Sequence, residues 1–435
     1  MSPFLTAYSG LSTLRLDGPW PLGYAPAMKI WLKYLIAAIL GVALGLVVPL
    51  AESMGILDVL TGISMNLGRY MLLPILFFSM PIAVHELLED KKLLRTGARA
   101  IAYSIMAVFI MTIIGIGGGL LLSPGRIPLS TDASFAVAPI PAIREILLAM
   151  IPANPLQTLQ SMDFLLPLAL LGTMIGMALS FDRSATKPAL NLFDSISRIS
   201  WQINSFIVEI LPLPLIFISA ARTISIAATA RLAIFGRMLA VLGIEFAIVV
   251  LIILPLAIYL ANGRKNPFIL MYGLLAPSLA GAITGHTAIP AGILLKHLKE
   301  SLGVRRRSST ASLPLAMTFG RAGTAMVSAT AFIVILSSYS SLGIGSSTIG
   351  WMLLFIPASA LLLGAAPGLG PLSAIAFLCA AYGRGFESGY ILVVPVAFPL
   401  MSLGAFLDVG IQGIIATLVA GHEDMSVAKT ARHFI

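Results

Sequence analysis

Glu209, Glu245, His286, Arg321 and Asp408 stand within or at the edges of long apolar runs, where a charge is expensive to keep. The carboxylates and the imidazole can take up and release a proton, and a histidine does so near neutral pH unless its surroundings intervene. A guanidinium stays protonated, so Arg321 is a permanent cation. At mid-helix in an apolar medium such a charge costs roughly 2.5–3.5 kcal/mol, so it calls for a partner. Asp408 is one candidate, as an ion pair, although it could also be a protonated buried acid. A carboxylate from outside, gripped by two parallel hydrogen bonds, is another. For Glu245 and Glu209 the alternatives to carrying a proton are lining a wet crevice or pairing with Arg237 and Arg198. For His286 the alternative is a hydrogen-bonded cap.

The elements that hold these residues follow from composition. Of 435 residues 58% are hydrophobic and 10% charged, with a net charge of +9, where a soluble domain carries about 25% charged residues. The mean hydropathy is +0.99. Too few charges exist to coat a soluble globule, which excludes a soluble enzyme, and disorder is excluded by the abundance of bulky apolar side chains. The single Cys379 excludes a disulfide scaffold. Unbroken apolar runs argue against a barrel, whose strands alternate. An all-α polytopic membrane protein remains. The positive charges sit in short clusters between apolar runs, as cytoplasmic loops do, so nucleic acid is not an expected partner and the lipid bilayer is.

A crossing takes about 20 residues. Charge-free stretches run at 34–51, 70–84 (extending back through Arg69), 100–125, 164–181, 210–221, 246–263, 266–295, 322–383 and 388–407. Glu209 alone separates 210–221 from 199–208, so the region after Lys187 reads as one long helix carrying a few polar residues. Residues 1–27 hold several Pro and Gly and no cationic start, so they do not read as a signal; Met28 and Lys29 form a second start, which leaves 1–27 as a dispensable extension. Basic loops at 91–99 and 296–307 place those loops and both termini in the cytoplasm, with Arg222 and Arg231 as a mild violation.

Two runs do not behave as plain spans. Residues 266–295 carry Pro277, Gly281, Gly285, Pro290 and Gly292, with basic residues flanking both ends, so both ends lie on one side. Residues 322–383 are too long for one pass and break at Pro357, Gly364, Pro367, Gly368, Gly370 and Pro371. The expectation is a hairpin over 266–305 and a second over 346–383, entering from opposite faces. Such paired, Gly/Pro-interrupted segments point to a transporter binding site. Other motifs fail. His85, Glu86 and Glu89 imitate a zinc-protease pattern but end in Glu, Gly115, Gly117, Gly118 and Gly119 suit helix packing, and no Walker loop is present.

Six segments, in this order, resemble one family. LLPILFFSMPIAV (72–84), DKKLLRTGARAIAYS (90–104), IPANPLQTL (151–159), TGHTAIP (284–290), LPLAMTFGRAGTA (313–325) and AFLDVGIQGIIATLV (405–419) are similar to segments of the glutamate-transporter-like dicarboxylate/amino acid:cation symporters. The likeness runs from about Met28 to Thr430. It implies eight transmembrane helices plus two re-entrant hairpins in inverted repeats, a homotrimer, and an elevator in which a transport domain slides on a scaffold. The scaffold would be 28–90 and 145–222, and the transport domain 91–130 and 232–435. Substrate would lie between the hairpin tips and the unwound middle of span seven, against Thr284, Gly285, His286, Thr287, Arg321, Thr324, Gly368, Gly370, Asp408 and Gln412. Asp408 matches an aspartate that meets a substrate amine, and Thr324 a substrate-facing threonine, though a Thr also back-bonds to its own helix.

The chain departs from that family at its cation ligands. The family's sodium positions fall at Gly320, Ala322, Ile415 and Val419, none of which offers the side-chain oxygen a hard cation wants. Arg321 could then stand in for a bound cation, grip a substrate carboxylate, or pair structurally with Asp408. Where acidic-substrate members carry a side-chain-gripping Arg stands Ile411, which shifts the expectation toward a neutral or otherwise altered solute. His286, Arg321, Glu245 and Glu209 are the coupling candidates. The resemblance implies a secondary transporter in a plasma membrane of the bacterial inner-membrane type, not an enzyme, with no cofactor, moving a small organic solute, an amino acid or carboxylate, with a proton or sodium as coupling ion. The alternatives are a conventional sodium-coupled symporter and a channel or sensor that keeps the fold.

Overall fold

The computed structural model describes residues 28–47, 54–123, 125–128, 148, 151, 165–181, 183–227, 232–261, 263, 266–339, 344–363, 370–427, 429–431 and 434–435. Among these residues no regular strand occurs. The helices are α1 (Ile30–Val47), α2 (Met54–Arg69), α3 (Leu72–Glu89), α4 (Leu93–Leu122), α5 (Leu165–Phe181), α6 (Arg183–Ile210), α7 (Pro212–Ala227), α8 (Gly236–Ile248) and α9 (Leu254–Ala261). They continue as α10 (Pro267–Gly273), α11 (Leu275–Thr284), α12 (Ala291–Glu300), α13 (Arg306–Phe319), α14 (Ala322–Tyr339), α15 (Ser346–Leu363), α16 (Gly370–Tyr382) and α17 (Ala397–His422). Residues 1–27, most of 145–164 and Gly368 lie outside the described residues.

Six of the described stretches are long and apolar enough to cross a bilayer: Ile30–Val47, Gly55–Glu89, Leu93–Leu122, Ala233–Ala261, Arg306–Tyr339 and Gly389–His422. Among the described residues the bent pair α6–α7 passes the same test as one broken span, and the 17-residue α5 is a shorter apolar helix beside it, which makes six to eight apolar spans. The two hairpins are α10–α11 turning back into α12, and α15 followed by α16.

The breaks have local causes. The region after Lys187 is not one straight helix: it bends by 53° between α6 and α7. Pro212 lacks the N–H that would continue the ladder, and proline is at home in the first turn of a new helix. The arm α10–α11 bends by 50° because Pro277 cannot donate back to the Gly273 carbonyl. Span six widens into a π stretch at Val249–Ile253 just ahead of Pro255. Span seven stops at Phe319 and restarts at Ala322, with Gly320 and Arg321 outside both helices.

Among the described residues the three largest apolar cores hold these pieces. One lies between α4, α8, α14, α16 and α17 and buries Val108, Leu242, Phe332, Ile375 and Leu407. A second joins α3, α5, α12 and α13 through Leu76, Leu168, Leu295 and Leu313. The third joins α1, α7 and α11 through Tyr34, Leu215 and Ala280.

Candidate functional site

The break in span seven leaves the first turn of α14 with N–H groups that no helical carbonyl can reach. Asp408, from the middle of α17, fills that gap. It accepts a hydrogen bond from the Thr324 N–H at 3.1 Å and another from the Thr324 hydroxyl at 2.6 Å. The carboxylate is thereby the cap of α14, supplied by another helix, and it faces the positive end of that helix's dipole. Asp408 is 1% exposed.

A narrow cavity opens on this junction. Its walls are Gly285, His286, Thr287 and Ala288 from the first hairpin, Arg321 and Thr324 from span seven, Gly370 and Pro371 from the second hairpin, and Met401, Ala405 and Asp408 from α17. The last three recur at helical spacing and so share one face of α17. Arg321 and Asp408 bring opposite charges to the same small space.

Each hairpin reaches the cavity through a device of its own. α11 ends at Gly285, which stands at φ +69°, a left-handed conformation that a Cβ would strain. Thr284 is buried beneath the tip and donates to the Ala280 carbonyl at 2.8 Å, so it braces the turn and does not line the cavity. The second hairpin enters at Gly370, φ +47°, and Pro371, whose ring packs where α17 carries Gly404. His286 sits in the field of Arg222, Arg69 and Arg321, and Arg222 itself stacks over the Phe398 ring at 5.1 Å.

The residues singled out in the sequence thus divide. Gly285, His286, Thr287, Arg321, Thr324, Gly370 and Asp408 meet at the cavity. Gln412 lies one turn beyond Asp408, buried, and neither amide atom has a hydrogen-bond partner among the described residues. Gly320 and Ala322 flank Arg321 in the break, and Ile415 and Val419 are buried on α17; these four positions do not fit a sodium site built from side-chain oxygens. Met401 and Ala405 were not among the expected residues, although the spacing from Asp408 marks them. Arg69 and Arg222 were read only as a span extension and a charge-rule violation.

Two acids lie elsewhere. Glu209 bridges Lys33 of α1 and Lys296 of α12, both at 2.8 Å, and does not pair with Arg198, which bonds Asp194 at 2.7 Å. Near it Arg306 of α13 also meets Asp194, Arg307 meets Asp90 at 2.7 Å, and Asn204 donates to the Gly292 carbonyl at 2.9 Å. Glu245 is buried between spans three, six and seven, bonded to Thr330 and not to Arg237.

Comparison with known proteins bears on this geometry. The family model of the sodium:dicarboxylate symporter family matches residues 30–422. The chain is 26% identical over 391 residues to the serine/threonine transporter SstT of Enterococcus faecalis, covering 88% of this chain and 84% of that protein. It is 26% identical over 397 residues to the SstT of Streptococcus agalactiae, covering 89% of each, and 25% identical over 392 residues to that of Streptococcus thermophilus, covering 87% of each. These relatives are transporters and not enzymes. With six to eight apolar spans among the described residues, two bent helix pairs and a family match across nearly its whole length, the chain belongs to the sodium:dicarboxylate symporter family of membrane transporters.

Proposed function

We propose that this protein is a secondary transporter that carries a small amino acid through a plasma membrane by an elevator movement. The observation that carries this reading is the convergence of both hairpins, the broken span seven and α17 on one cavity that holds a fixed cation and a carboxylate. A zwitterion complements that pair: its carboxylate against Arg321 and its ammonium against Asp408. The relatives' names, serine/threonine transporter, support a small neutral solute, as does Ile411 in place of a side-chain-gripping Arg.

In this reading residues 28–90 and 145–222 form a stationary scaffold and a homotrimer interface. Residues 91–130 and 232–435 form the moving body, with the hairpins 266–305 and 346–383 as its gates. The pairs Lys296–Glu209, Arg306–Asp194 and Arg307–Asp90 then lie across the seam between the two. Arg321 supplies a permanent positive charge where the family model leads one to seek a cation, so movement of the loaded site does not need sodium held by side chains.

The test is uptake into proteoliposomes under separate sodium and pH gradients, over serine, threonine, other amino acids and dicarboxylates. Exchange of a small neutral amino acid that persists without sodium is expected. A strict sodium requirement overturns the role given to Arg321. Ion current without solute flux overturns the transporter reading in favour of a channel.

A further inference from the structure

Glu245 is a buried acid that the cavity does not use. It is 2% exposed, in the middle of span six, facing α4 and α14. Its carboxyl group fills the space left by Gly118: a Cβ there would collide with it. Both carboxyl oxygens lie within hydrogen-bond distance of the Thr330 hydroxyl, at 2.9 and 2.8 Å. That hydroxyl is also 3.2 Å from the Gly115 carbonyl and 3.3 Å from the Met326 carbonyl.

The hydrogens can be counted. An ionised carboxylate offers about four lone-pair sites, and a threonine hydroxyl has one hydrogen. With Glu245 ionised, that single hydrogen is all it receives from any side chain among the described residues, at a position 2% exposed. With Glu245 carrying a proton, the chain closes. The acid O–H donates to the Thr330 hydroxyl, and the hydroxyl donates onward to the Gly115 or Met326 carbonyl. Every hydrogen is then used.

No charge substitutes for that proton. The charged and titratable residues on the packed elements are Arg95, Arg99 and Tyr103 on α4, Tyr339 on α14, Asp408 and His422 on α17, and Arg237 on α8 itself. None is bonded to Glu245, and the Arg237 side chain lies against Gly125 instead.

We propose that Glu245 and Thr330 form a proton-holding site, separate from the substrate cavity, that crosses the membrane with the spans around it. The proposal rests on the transporter reading above. The step is a simple balance: the carboxylate takes one proton from water on the entry side, crosses as a neutral acid, and returns it to water on the other. The neutral form moves easily because an isolated charge in this place is costly.

Purified protein in proteoliposomes, with serine as the solute, tests it. An inward proton gradient is expected to accelerate uptake, and Glu245→Gln, which keeps the size of the side chain, is expected to lose that acceleration. Infrared difference spectra taken across pH are expected to show the carbonyl band of a protonated acid that disappears in Glu245→Gln. If the acceleration survives the substitution, or if the spectra of the two proteins coincide, the proposal is overturned. Thr330→Val removes only the hydroxyl; it is expected to shift the same band and weaken the acceleration, and it decides the matter if Glu245→Gln does not fold. Counterflow by the unaltered protein, measured without any gradient, separates the two readings. Vesicles that exchange no amino acid overturn the transporter assignment, while the infrared band still decides where the proton is held.

Discussion

Replacing Asp408 probes the junction on which the cavity is built. The carboxylate accepts two hydrogen bonds from Thr324 and is 1% exposed, so solvent screening does not dilute them. Hydrogen bonds to a charged group contribute about 1.5–3 kcal/mol each, which puts the two together at about 3–6 kcal/mol before relaxation. Asp408→Ala removes both, together with a negative charge that lies in the field of Arg321. Asp408→Asn differs in kind. Its oxygen can still accept from the Thr324 N–H, and its amide can donate to the Thr324 hydroxyl. What it loses is the charge, against Arg321 and against the N-terminus of α14, where the dipole contribution is about 0.3–2 kcal/mol. The expected order in thermal unfolding of the purified protein is therefore unaltered, then Asn, then Ala, with Ala worse than Asn by roughly 2 kcal/mol. In uptake, loss of the group proposed to face a substrate ammonium is expected to raise KM; an interaction of about 3 kcal/mol corresponds to a factor of roughly a hundred. A double cycle with Arg321→Ala should be non-additive if the two charges sense each other. An Ala variant that melts like the unaltered protein would refute the capping role, and an Asn variant that transports like it would refute the ammonium contact.

Arg321→Ala is expected to abolish most uptake while leaving the fold intact, and Arg321→Lys to restore only part of it, since an ammonium cannot reproduce a planar fork; initial rates across the three proteins check this. Gly285→Ala places a Cβ on a residue at φ +69°, 3.4 Å from the Met401 Cβ. The left-handed penalty of about 1–2 kcal/mol should appear as a lower melting temperature together with slower exchange. Gly323→Ala puts a Cβ 2.5 Å from the Gly404 carbonyl oxygen and from the Leu407 Cβ, where α14 meets α17. Overpacking of that kind costs about 1–3 kcal/mol, and a variant that melts like the unaltered protein shows that the helices can part there freely.

Much of the architecture was legible in the residues. Apolar runs of crossing length mark the spans, and the same-side charges around 266–295 mark a hairpin without any knowledge of contacts. Arg321 announced the cavity because a fixed charge in an apolar run needs company, and Asp408 was the natural candidate. Other features were hidden for a physical reason: they depend on neighbours far away along the chain. Glu209 meets Lys33 and Lys296 only once α1, α6 and α12 have packed. Arg69 and Arg222 come to the hairpin tip from two other helices. The bend at Leu211 is a different case. Pro212 was visible, but the apolar character of the run outweighed it in a reading based on hydropathy.

Salt and water can substitute for an ion pair when two surfaces part, but nothing in water can substitute for a buried leucine. The contacts of Glu209, Asp194 and Asp90 are of the first kind, with acid side chains 37%, 32% and 41% exposed. They work as a replaceable fastening, not as an adhesive. A lysine or arginine released from one of these pairs finds water in place of its partner, whereas the leucines that α3 and α5 bury against α12 and α13 have no such replacement, so the apolar core and not the ion pairs sets the resistance to parting these helices.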